Sequence, residues 1–386
     1  MIPYGQQEVT DEDINAVVKV LKSDFLTQGN AVPEFEHKVA KYVGVKYALA
    51  VNSATSALHL ACLALDVGPG DIVWTSPITF VASSNCALYC GAKVDFVDID
   101  NETFNICTKR LRKKLLEAKI KNILPKVVIP VHLTGQSSDM KEIHELGKEF
   151  GFKIIEDASH AIGAEYRDIK VGACTYSDIC VFSFHPVKII TTGEGGMALT
   201  NNSDISLRIE RLRSHGITRD PKLMENCIHG PWYYEQIELG LNYRITDIQA
   251  ALGISQMDRL DKYVKQRNLL AERYDSLLKN LPLKTPLQPE YSYSSRHLYV
   301  IRLCLKDTKV AHKTFFEYLR ANNIGVQIHY IPVPIQPYYS KMGFSMDKYP
   351  NASAYYQEAI SLPLFPTMTL EQQDEVISTI KKILLA

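Results

Sequence analysis

The chain has 386 residues, of which 46% are hydrophobic, and its 43 basic and 43 acidic side chains balance to a formal net charge of zero. This length favours about two or three domains, and the balanced charge excludes a general electrostatic attraction to nucleic acid or to an anionic membrane. No apolar run approaches the ~20 residues of a membrane span, and the first residues lack the features of a signal peptide, so we expect a cytoplasmic protein with neither kind of partner.

In chain order we expect an N-terminal arm over residues 1–14, a large domain over 15–250 and a small C-terminal domain over 251–386. From about residue 35 to 200, short apolar runs alternate with amphipathic segments. The runs typical of strands are YALAVN, DIVWTS, KVDFVDID, KVVIPVHL, KIIEDAS, DICVFSF and GMALTN, and the segments with helical spacing are SALHLACLAL, FVASSNCALYCG and DMKEIHELGKEFG. This alternation predicts an α/β domain with a mixed, mostly parallel sheet flanked by helices.

The last third of the sequence changes its pattern. One long helix is predicted from Thr246 to Leu281, and its length suits a connector between the two domains. Beyond it we expect a smaller α+β domain with the strands HLYVIRLCL and GVQIHYIPV, the helix KTFFEYLRANNI, and a final helix after TLEQQDEV.

The eight cysteines contain no Cys-x-x-Cys pair. Cys86 and Cys90 are four residues apart and could share a helix face, but without a nearby His or further Cys they indicate core packing rather than a metal site. We expect reduced thiols and no metal.

Lys188 lies in FSFHPVKIITTGEGG, among apolar residues and before a glycine-rich turn. A buried ammonium is costly, so its pKa falls and a neutral amine becomes available as a nucleophile. A lysine on a surface loop is the alternative when this residue is considered alone.

Other features at predicted strand ends complement this lysine. In NSATSALHL, a turn of small residues leads into a helix, so the N–H groups of Ala54 and Thr55 form an anion cup, although the same pattern fits an ordinary helix cap. Ser183 ends the strand before Lys188 and is placed to join the cup. Asp157 ends the strand in IIEDASHA, where its carboxylate either holds a ring nitrogen protonated or caps the next turn. Phe80 follows another strand, where it either stacks on a flat ring or belongs to the core.

Pyridoxal 5′-phosphate (PLP) is a flat molecule that matches all of these groups. Its aldehyde suits a lysine, its phosphate suits a helix N-terminus, and its ring nitrogen suits an aspartate. The joint pattern therefore predicts a PLP enzyme in which Lys188 forms a Schiff base.

The sequence resembles the nucleotide-sugar aminotransferases, a branch of the fold-type I PLP enzymes. The motifs that carry the resemblance extend over nearly the whole chain and follow the family's order: LTQGNAVPEFEHKVAKYVGVKYALAVNSATSALHLA, EDASHAIGA, FSFHPVKIITTGEGG, RLRSHGI, LNYRITDIQAALG, QIHYIPV and SLPLFP. The resemblance implies a homodimer whose active sites lie at the subunit interface.

Residue by residue, the resemblance implies the following roles. Lys188 matches the Schiff-base lysine, and Asp157 matches the partner of the pyridinium nitrogen. His160 stands where the family often has Gln, near the phenolic oxygen of the cofactor, and this departure leaves its contact open. The phosphate cup is matched by Ala54, Thr55 and Ser183, with Asn242 from the other subunit, and the stacking aromatic is matched by Phe80. The sugar-nucleotide site is matched by Tyr4, by Asp24, Phe25, Leu26 and Thr27, and by Gln327, Ile328, His329 and Tyr330.

The implied reaction transfers an amino group from glutamate to a ketone on a nucleotide-linked sugar. SHAIGAEY, FSFHPVKIITTGEGG and LRSHG look closest to the family branch of pseudaminic acid synthesis, which implies carbon 4 of UDP-4-keto-6-deoxy-N-acetyl-L-altrosamine as the acceptor. Another UDP- or dTDP-linked keto sugar remains the alternative.

The sequence disfavours three other functions. Sugar dehydratases of the family carry histidine in place of the lysine, which is present here. A dinucleotide-dependent oxidoreductase is disfavoured because the stretch GEGGMA, Gly193 to Ala198, fits a loose dinucleotide-binding pattern but leads into a strand rather than a helix. A non-catalytic regulator with the PLP fold is disfavoured because all catalytic positions are filled.

The polar and aromatic segment 218–236, with Trp232, Tyr233 and Tyr234, fits either a loop near the substrate or a plain surface excursion.

Overall fold

The computed structural model describes residues 1–226 and 229–385; Cys227, one of the expected reduced thiols, therefore lies outside the described residues. The helices are α1 (Asp11–Leu21), α2 (Ala31–Val43), α3 (Ala54–Ala64), α4 (Ala82–Tyr89), α5 (Thr108–Ile120), α6 (Met140–Phe150), α7 (Ser203–Leu212), α8 (Asp247–Met257), α9 (Leu260–Leu278), α10 (His312–Ala321), α11 (Pro337–Ser340), α12 (Pro350–Glu358) and α13 (Leu370–Leu384). The strands are β1 (Tyr47–Val51), β2 (Ile72–Thr75), β3 (Lys93–Phe96), β4 (Val127–Ile129), β5 (Lys153–Asp157), β6 (Glu165–Tyr166), β7 (Ile169–Lys170), β8 (Ile179–Ser183), β9 (Gly196–Thr200), β10 (Ile217–Thr218), β11 (Glu235–Gln236), β12 (Leu283–Lys284), β13 (Ser292–Tyr293), β14 (Tyr299–Leu303) and β15 (Ala359–Leu362).

The large central sheet has the strand order β1-β9-β8-β5-β4-β2-β3. Neighbours from β8 to β3 pair in parallel, whereas β9 is antiparallel to both β8 and β1. The sheet is therefore mixed and mostly parallel, and the prediction of an α/β fold is confirmed. All seven strands predicted in this part of the sequence are present.

Apolar side chains cover both faces of this sheet. Successive residues of a strand point to opposite faces, and in β8 Ile179 and Val181 join one hydrophobic cluster while Cys180 and Phe182 join another. Helices α3, α4 and α7 contribute to the first cluster and α2, α8 and α9 to the second. Burial on both faces explains why these strands are continuous apolar runs in the sequence.

The prediction of one helix from Thr246 to Leu281 is wrong, because the structure contains two helices, α8 and α9, separated at Asp258 and Arg259. No Gly or Pro marks the break. Arg259 is the N-cap of α9, with φ −108° and ψ 0°, and its Nη2 lies 2.5 Å from a carboxylate oxygen of buried Asp13 in α1. The break between the two helices therefore coincides with a contact to a residue almost 250 positions away in the sequence.

The predicted strand GVQIHYIPV is also not formed. Its residues make one isolated bridge, Gln327 with Ser361, and the preceding Ile324 bridges Ile2. His329 is buried, and with Tyr330 it lines the cavity described below. The other expected C-terminal elements are present as β14, α10 and α13.

The C-terminal part has its own antiparallel sheet, β12-β14-β15, packed against α10 and α13. Within α9 the packing changes, because Tyr263 and Val264 join a cluster of the large sheet whereas Leu270 and Tyr274 join the C-terminal cluster. The division into 1–14, 15–250 and 251–386 stays a proposal.

The N-terminal residues are bound to this C-terminal part. The backbone N–H of Ile2 donates to the Asn323 carbonyl at 2.8 Å, and the Leu364 N–H donates to the Tyr4 carbonyl at 3.1 Å. In the part of the chain that the structure describes, no helix is long and apolar enough to cross a membrane.

Candidate active site

A cavity of about 790 Å³ lies beyond the carboxyl ends of the central strands, where ligand sites of open α/β sheets occur. Strands β5 and β8 end at its wall, and helix α3 begins there. Of the residues predicted for the site, the cavity brings together Tyr4, Ala54, Thr55, Phe80, Asp157, His160, Ser183, Lys188, His329 and Tyr330.

Lys188 lies in the turn after β8 and is half-buried. Burial lowers the pKa of its ammonium to about 8, while the negative charge of Asp157 acts in the opposite direction. Burial and the nearby Lys188 charge also lower the pKa of His329, to about 3. A large fraction of Lys188 is therefore neutral near pH 8, and His329 is neutral there.

Asp157 ends β5 and is 5% exposed. Its Oδ2 accepts a hydrogen bond from Ser83 Oγ at 2.6 Å, and its Oδ1 accepts from the hydroxyl of Ser159 at 2.6 Å and from its backbone N–H at 3.2 Å. These donors fix the orientation of the carboxylate. The carboxylate is therefore oriented before any ligand binds.

The anion cup is formed where β1, β8 and β9 meet the start of α3. The first N–H groups of a helix have no intrahelical acceptor, so those of Ala54 and Thr55 can bind an anion. Ser183 pairs in register with Gly196 of β9. A Cβ at Gly196 would lie 2.4 Å from the nitrogen of Ala54, so glycine is required for this close approach.

His160 and Tyr330 are joined at another wall of the cavity. His160 Nε2 lies 3.0 Å from the Tyr330 hydroxyl, and the ring of Phe80, which is 58% exposed, lies 6.1 Å from that of Tyr330. Phe80 is therefore not a core residue, and its ring is accessible to a flat ligand.

Several predicted residues lie away from this cavity. Asn242 is exposed and bridges Ser214, Asp24 to Thr27 are exposed, and Gln327 and Ile328 do not line it. Ser214, Gln28 and Gly29 line a second cavity of about 620 Å³, which also contains four arginines: Arg211, Arg213, Arg219 and Arg244. Asn242 and the 24–27 segment therefore flank the second cavity.

Segment 218–236 leaves Trp232 and Tyr234 exposed. Glu235 accepts hydrogen bonds from the backbone of Glu225 and Asn226 and from the Tyr233 hydroxyl. Residues 227 and 228 of this segment lie outside the described residues, so the two interpretations of the segment stay open.

Sequence reasoning missed the residues that support the site. Ser159 had a signal, because a serine two positions after an aspartate commonly bonds to it. Ser83 and Thr134, whose N–H donates to His160 Nδ1 at 3.3 Å, had none, because their partners are distant in the sequence.

The residues present fit PLP. Lys188 offers an amine with a lowered pKa, the start of α3 offers free N–H groups, and Asp157 offers a fixed carboxylate. These groups meet in a cavity that Phe80 borders. In the part of the chain described, no cluster of His, Cys, Asp or Glu is arranged to hold a metal ion.

The chain is similar to known proteins along its whole length. Residues 7–381 match the model of the DegT/DnrJ/EryC1/StrS aminotransferase family. The chain is 41% identical to the UDP-4-amino-4,6-dideoxy-N-acetyl-beta-L-altrosamine transaminase of Campylobacter jejuni, over 100% of this chain and 98% of the relative.

Two solved structures share the fold. Helicobacter pylori PseC, an aminotransferase involved in the biosynthesis of pseudoaminic acid, is 32% identical with a TM-score of 0.90, over 100% of this chain and 99% of PseC. The PLP-form of Spr1654 from Streptococcus pneumoniae is 29% identical with a TM-score of 0.87, over 99% of this chain and 98% of Spr1654.

Proposed function

Because the chain belongs to the DegT/DnrJ/EryC1/StrS aminotransferase family, we propose that it transfers an amino group from glutamate to the 4-keto carbon of a nucleotide-linked 4-keto-6-deoxy sugar. We propose UDP-4-keto-6-deoxy-N-acetyl-L-altrosamine as the acceptor. Two relatives support this choice, since both are transaminases of the corresponding 4-amino sugar, at 41% and 40% identity. The observation that carries the proposal is Lys188, an amine with a lowered pKa, in one cavity with Asp157.

The cofactor is PLP, which supplies an aldehyde that condenses with amines and a protonated ring that stores an electron pair. The N–H groups of Ala54 and Thr55, with the Ser183 hydroxyl, would hold its phosphate. Asp157 would hold a proton on its ring nitrogen, and Phe80 would lie against the ring.

Lys188 has two tasks in this scheme. Its neutral amine would hold the cofactor, and a free Nζ would accept the proton from the donor's α carbon as a general base. A pKa of about 8 suits both tasks, because a general base works best when its pKa lies near the operating pH.

We propose that the protein acts as a homodimer in the cytoplasm. Asn242 and residues 24–27 flank the second cavity rather than the Lys188 cavity, as expected if they serve the site of a second copy. The free thiols of the seven described cysteines support a reducing compartment. Tyr4 and His329 contact the sugar within one subunit.

A panel assay tests this proposal. The purified protein is incubated with PLP, glutamate and a set of UDP- and dTDP-linked 4-keto sugars, and each product is identified by mass and NMR. We expect amination of the L-altrosamine derivative with release of 2-oxoglutarate. Preference for another keto sugar would revise the substrate alone, whereas loss of a hydroxyl without nitrogen transfer would indicate a dehydratase. Absence of turnover with every sugar would favour a regulator.

A further inference from the structure

The hydrogen bond between His160 and Tyr330 determines where the protons lie on both side chains. The backbone N–H of Thr134 donates to His160 Nδ1 at 3.3 Å, and His160 Nε2 lies 3.0 Å from the Tyr330 hydroxyl oxygen. A neutral imidazole carries one proton, and the nitrogen that accepts a hydrogen bond does not carry it. The His160 proton is therefore on Nε2, which donates to Tyr330.

His160 is neutral in this site. It is 5% exposed, and burial, followed by the nearby Lys188 charge, lowers its pKa well below the ordinary value. The tautomer assigned from Thr134 is therefore the form present near neutral pH.

The position of Thr134 is fixed by its surroundings. Thr134 has a φ of +64°, which is strained for a β-branched residue and persists only where neighbours impose it. Its carbonyl accepts from the Leu298 N–H at 3.2 Å. The next residue, Gly135, packs so closely that a Cβ there would lie 2.4 Å from Ser295 Oγ. The N–H that orients His160 thus belongs to a constrained turn.

The proton of the Tyr330 hydroxyl is left available to a ligand. Tyr330 accepts from His160, and within the described residues its hydroxyl proton has no acceptor at hydrogen-bond distance. Burial raises the pKa of Tyr330, so the hydroxyl stays protonated. Tyr330 lines the same cavity as Lys188 and lies beside Phe80.

We propose that Tyr330 is a catalytic residue that donates a hydrogen bond to the carbonyl oxygen of the keto sugar, and that His160 is a positioning residue that aims this donor. A carbonyl attacked by an amine develops negative charge on its oxygen, and an oriented donor stabilises that charge. For the amine to attack, the carbonyl carbon of the sugar must lie close to Lys188. Tyr330 lines the same cavity, so its hydroxyl is available to the carbonyl oxygen. This inference rests on the proposed function.

Measuring the two half-reactions separately distinguishes a role of Tyr330 toward the keto sugar from a general effect on the enzyme. In single turnovers of the holoenzyme, one half uses glutamate alone and the other supplies the keto sugar to the aminated enzyme. Tyr330→Phe keeps the ring and removes only the hydroxyl, so we expect the keto-sugar half to slow about 100-fold and the glutamate half to change less than about threefold.

Variants of His160 test the positioning role. His160→Leu removes both hydrogen bonds and should slow the keto-sugar half as Tyr330→Phe does. His160→Gln offers an amide oxygen to Thr134 and an amide N–H to Tyr330, so it should restore most of the rate. The double variant Tyr330→Phe with His160→Leu should be no slower than either single variant, because both remove one interaction.

A spectroscopic measurement on the cofactor-free protein checks the geometry directly. NMR of the protein labelled with ¹⁵N-histidine should show ring 160 with its proton on Nε2, and the signal is assigned by its loss in His160→Gln. A proton on Nδ1, equal slowing of both halves by Tyr330→Phe, or multiplicative effects in the double variant would each overturn the inference. If the wild type aminates no keto sugar, the proposed function fails and this inference with it. If the wild type works and Tyr330→Phe matches it, this inference alone fails.

Discussion

At Lys188, two influences on the pKa of one amine oppose each other. Burial lowers that pKa, and the carboxylate of Asp157 raises it, with a net value of about 8. Burial therefore makes a nucleophile available, while Asp157 limits how far the pKa falls. Both effects can be measured through the amine's reaction with an aldehyde.

The first prediction concerns the bond between Lys188 and the cofactor. Lys188→Ala should abolish transamination, because no other described side chain in the cavity offers an amine. Borohydride reduction followed by peptide mass mapping should label position 188 in the wild type only. Lys153 is a matched control, since its amine is exposed and paired with Asp178, and Lys153→Ala should keep both the label and the activity. A label elsewhere, or substantial turnover by Lys188→Ala, would contradict the assignment.

The second prediction is a pH dependence. Because the neutral amine reacts, the rate of PLP attachment to the cofactor-free protein should rise as the pH increases toward about 8 and level off above it. Asp157→Asn removes the influence that raises the pKa, so the midpoint should move to lower pH. Stopped-flow absorbance at a series of pH values measures both midpoints, and a shift to higher pH would reverse the assigned sign.

The third prediction concerns Asp157 in catalysis. Asp157→Ala removes the group proposed to hold the ring-nitrogen proton, so it should weaken PLP binding and slow turnover by about 100-fold or more. Equilibrium dialysis and steady-state kinetics measure the two effects. Ser83→Ala removes one donor to the same carboxylate and should cause a smaller loss in the same direction. Unchanged kinetics in Asp157→Ala would mean that the ring nitrogen has another partner.

Among the structural elements, α1, α8 and α9 meet at a buried ion pair. Asp13 is 0% exposed and accepts from Arg259 at 2.5 Å and from Gln256 at 2.8 Å. Burial tends to raise the pKa of Asp13, but hydrogen bonds, led by the one from Arg259, lower it below the ordinary value. The pair therefore stabilises the packing of three helices at neutral pH.

The fourth prediction follows from this pair. Asp13→Ala leaves the Arg259 charge poorly compensated and should lower the free energy of unfolding by about 3–5 kcal/mol, measured through the thermal midpoint. Because the folded pKa is lowered, the contribution is present above the unfolded pKa and lost as the pH falls through the folded one. The difference from wild type should therefore shrink in acid. Asp258→Ala, at an exposed pair with Lys38, should cost less than about 1 kcal/mol. Equal losses in the two variants would contradict the account.

The same elements show what the sequence could and could not predict. Strands such as β5 and β8 were predictable because burial on both faces makes them apolar runs, and Asp157, Ser183 and Lys188 were identifiable because each lies at or just beyond a strand end. The break between α8 and α9 was not predictable, because it accompanies a contact with distant Asp13.

Long-range pairing also explains the remaining differences. GVQIHYIPV has a composition typical of strands, but a strand needs a neighbour along its length, and Gln327 alone in this stretch forms a bridge. The hydrogen bond between His160 and Tyr330 joins residues 170 positions apart, so no local sequence pattern predicts it.

At the scale of the whole molecule, the residues predicted for one site are distributed between two cavities. The Lys188 cavity holds the amine, the carboxylate and the anion cup, whereas Asn242 and residues 24–27 flank the arginine-rich second cavity. In the second cavity Arg213 is paired with Glu36, and Arg211 is paired with Glu238 nearby. The proposed homodimer gives the residues that flank this cavity a function in the site of a second copy.

The fifth prediction tests this arrangement. Asn242→Asp places a negative charge where the proposed dimer brings the phosphate and should be nearly inactive, as Lys188→Ala is. Mixed dimers of the two variants contain one site with both native residues, so combining the inactive parents should restore activity. The assay follows product formation after dissociation and reassociation, with each parent alone as the control. No recovery in verified mixed dimers would place Asn242 outside the shared site.

The bond between Tyr4 and Leu364 has a consequence for biosynthesis. A ribosome makes Tyr4 at the outset and Leu364 only some 360 residues later, yet a hydrogen bond joins them, and Tyr4 lines the Lys188 cavity. Contacts that span such separations form late, because they await the emergence of the distant segment. The nascent polypeptide can therefore assemble its central sheet early, but it cannot fix Tyr4 in the wall of the Lys188 cavity until translation is almost finished.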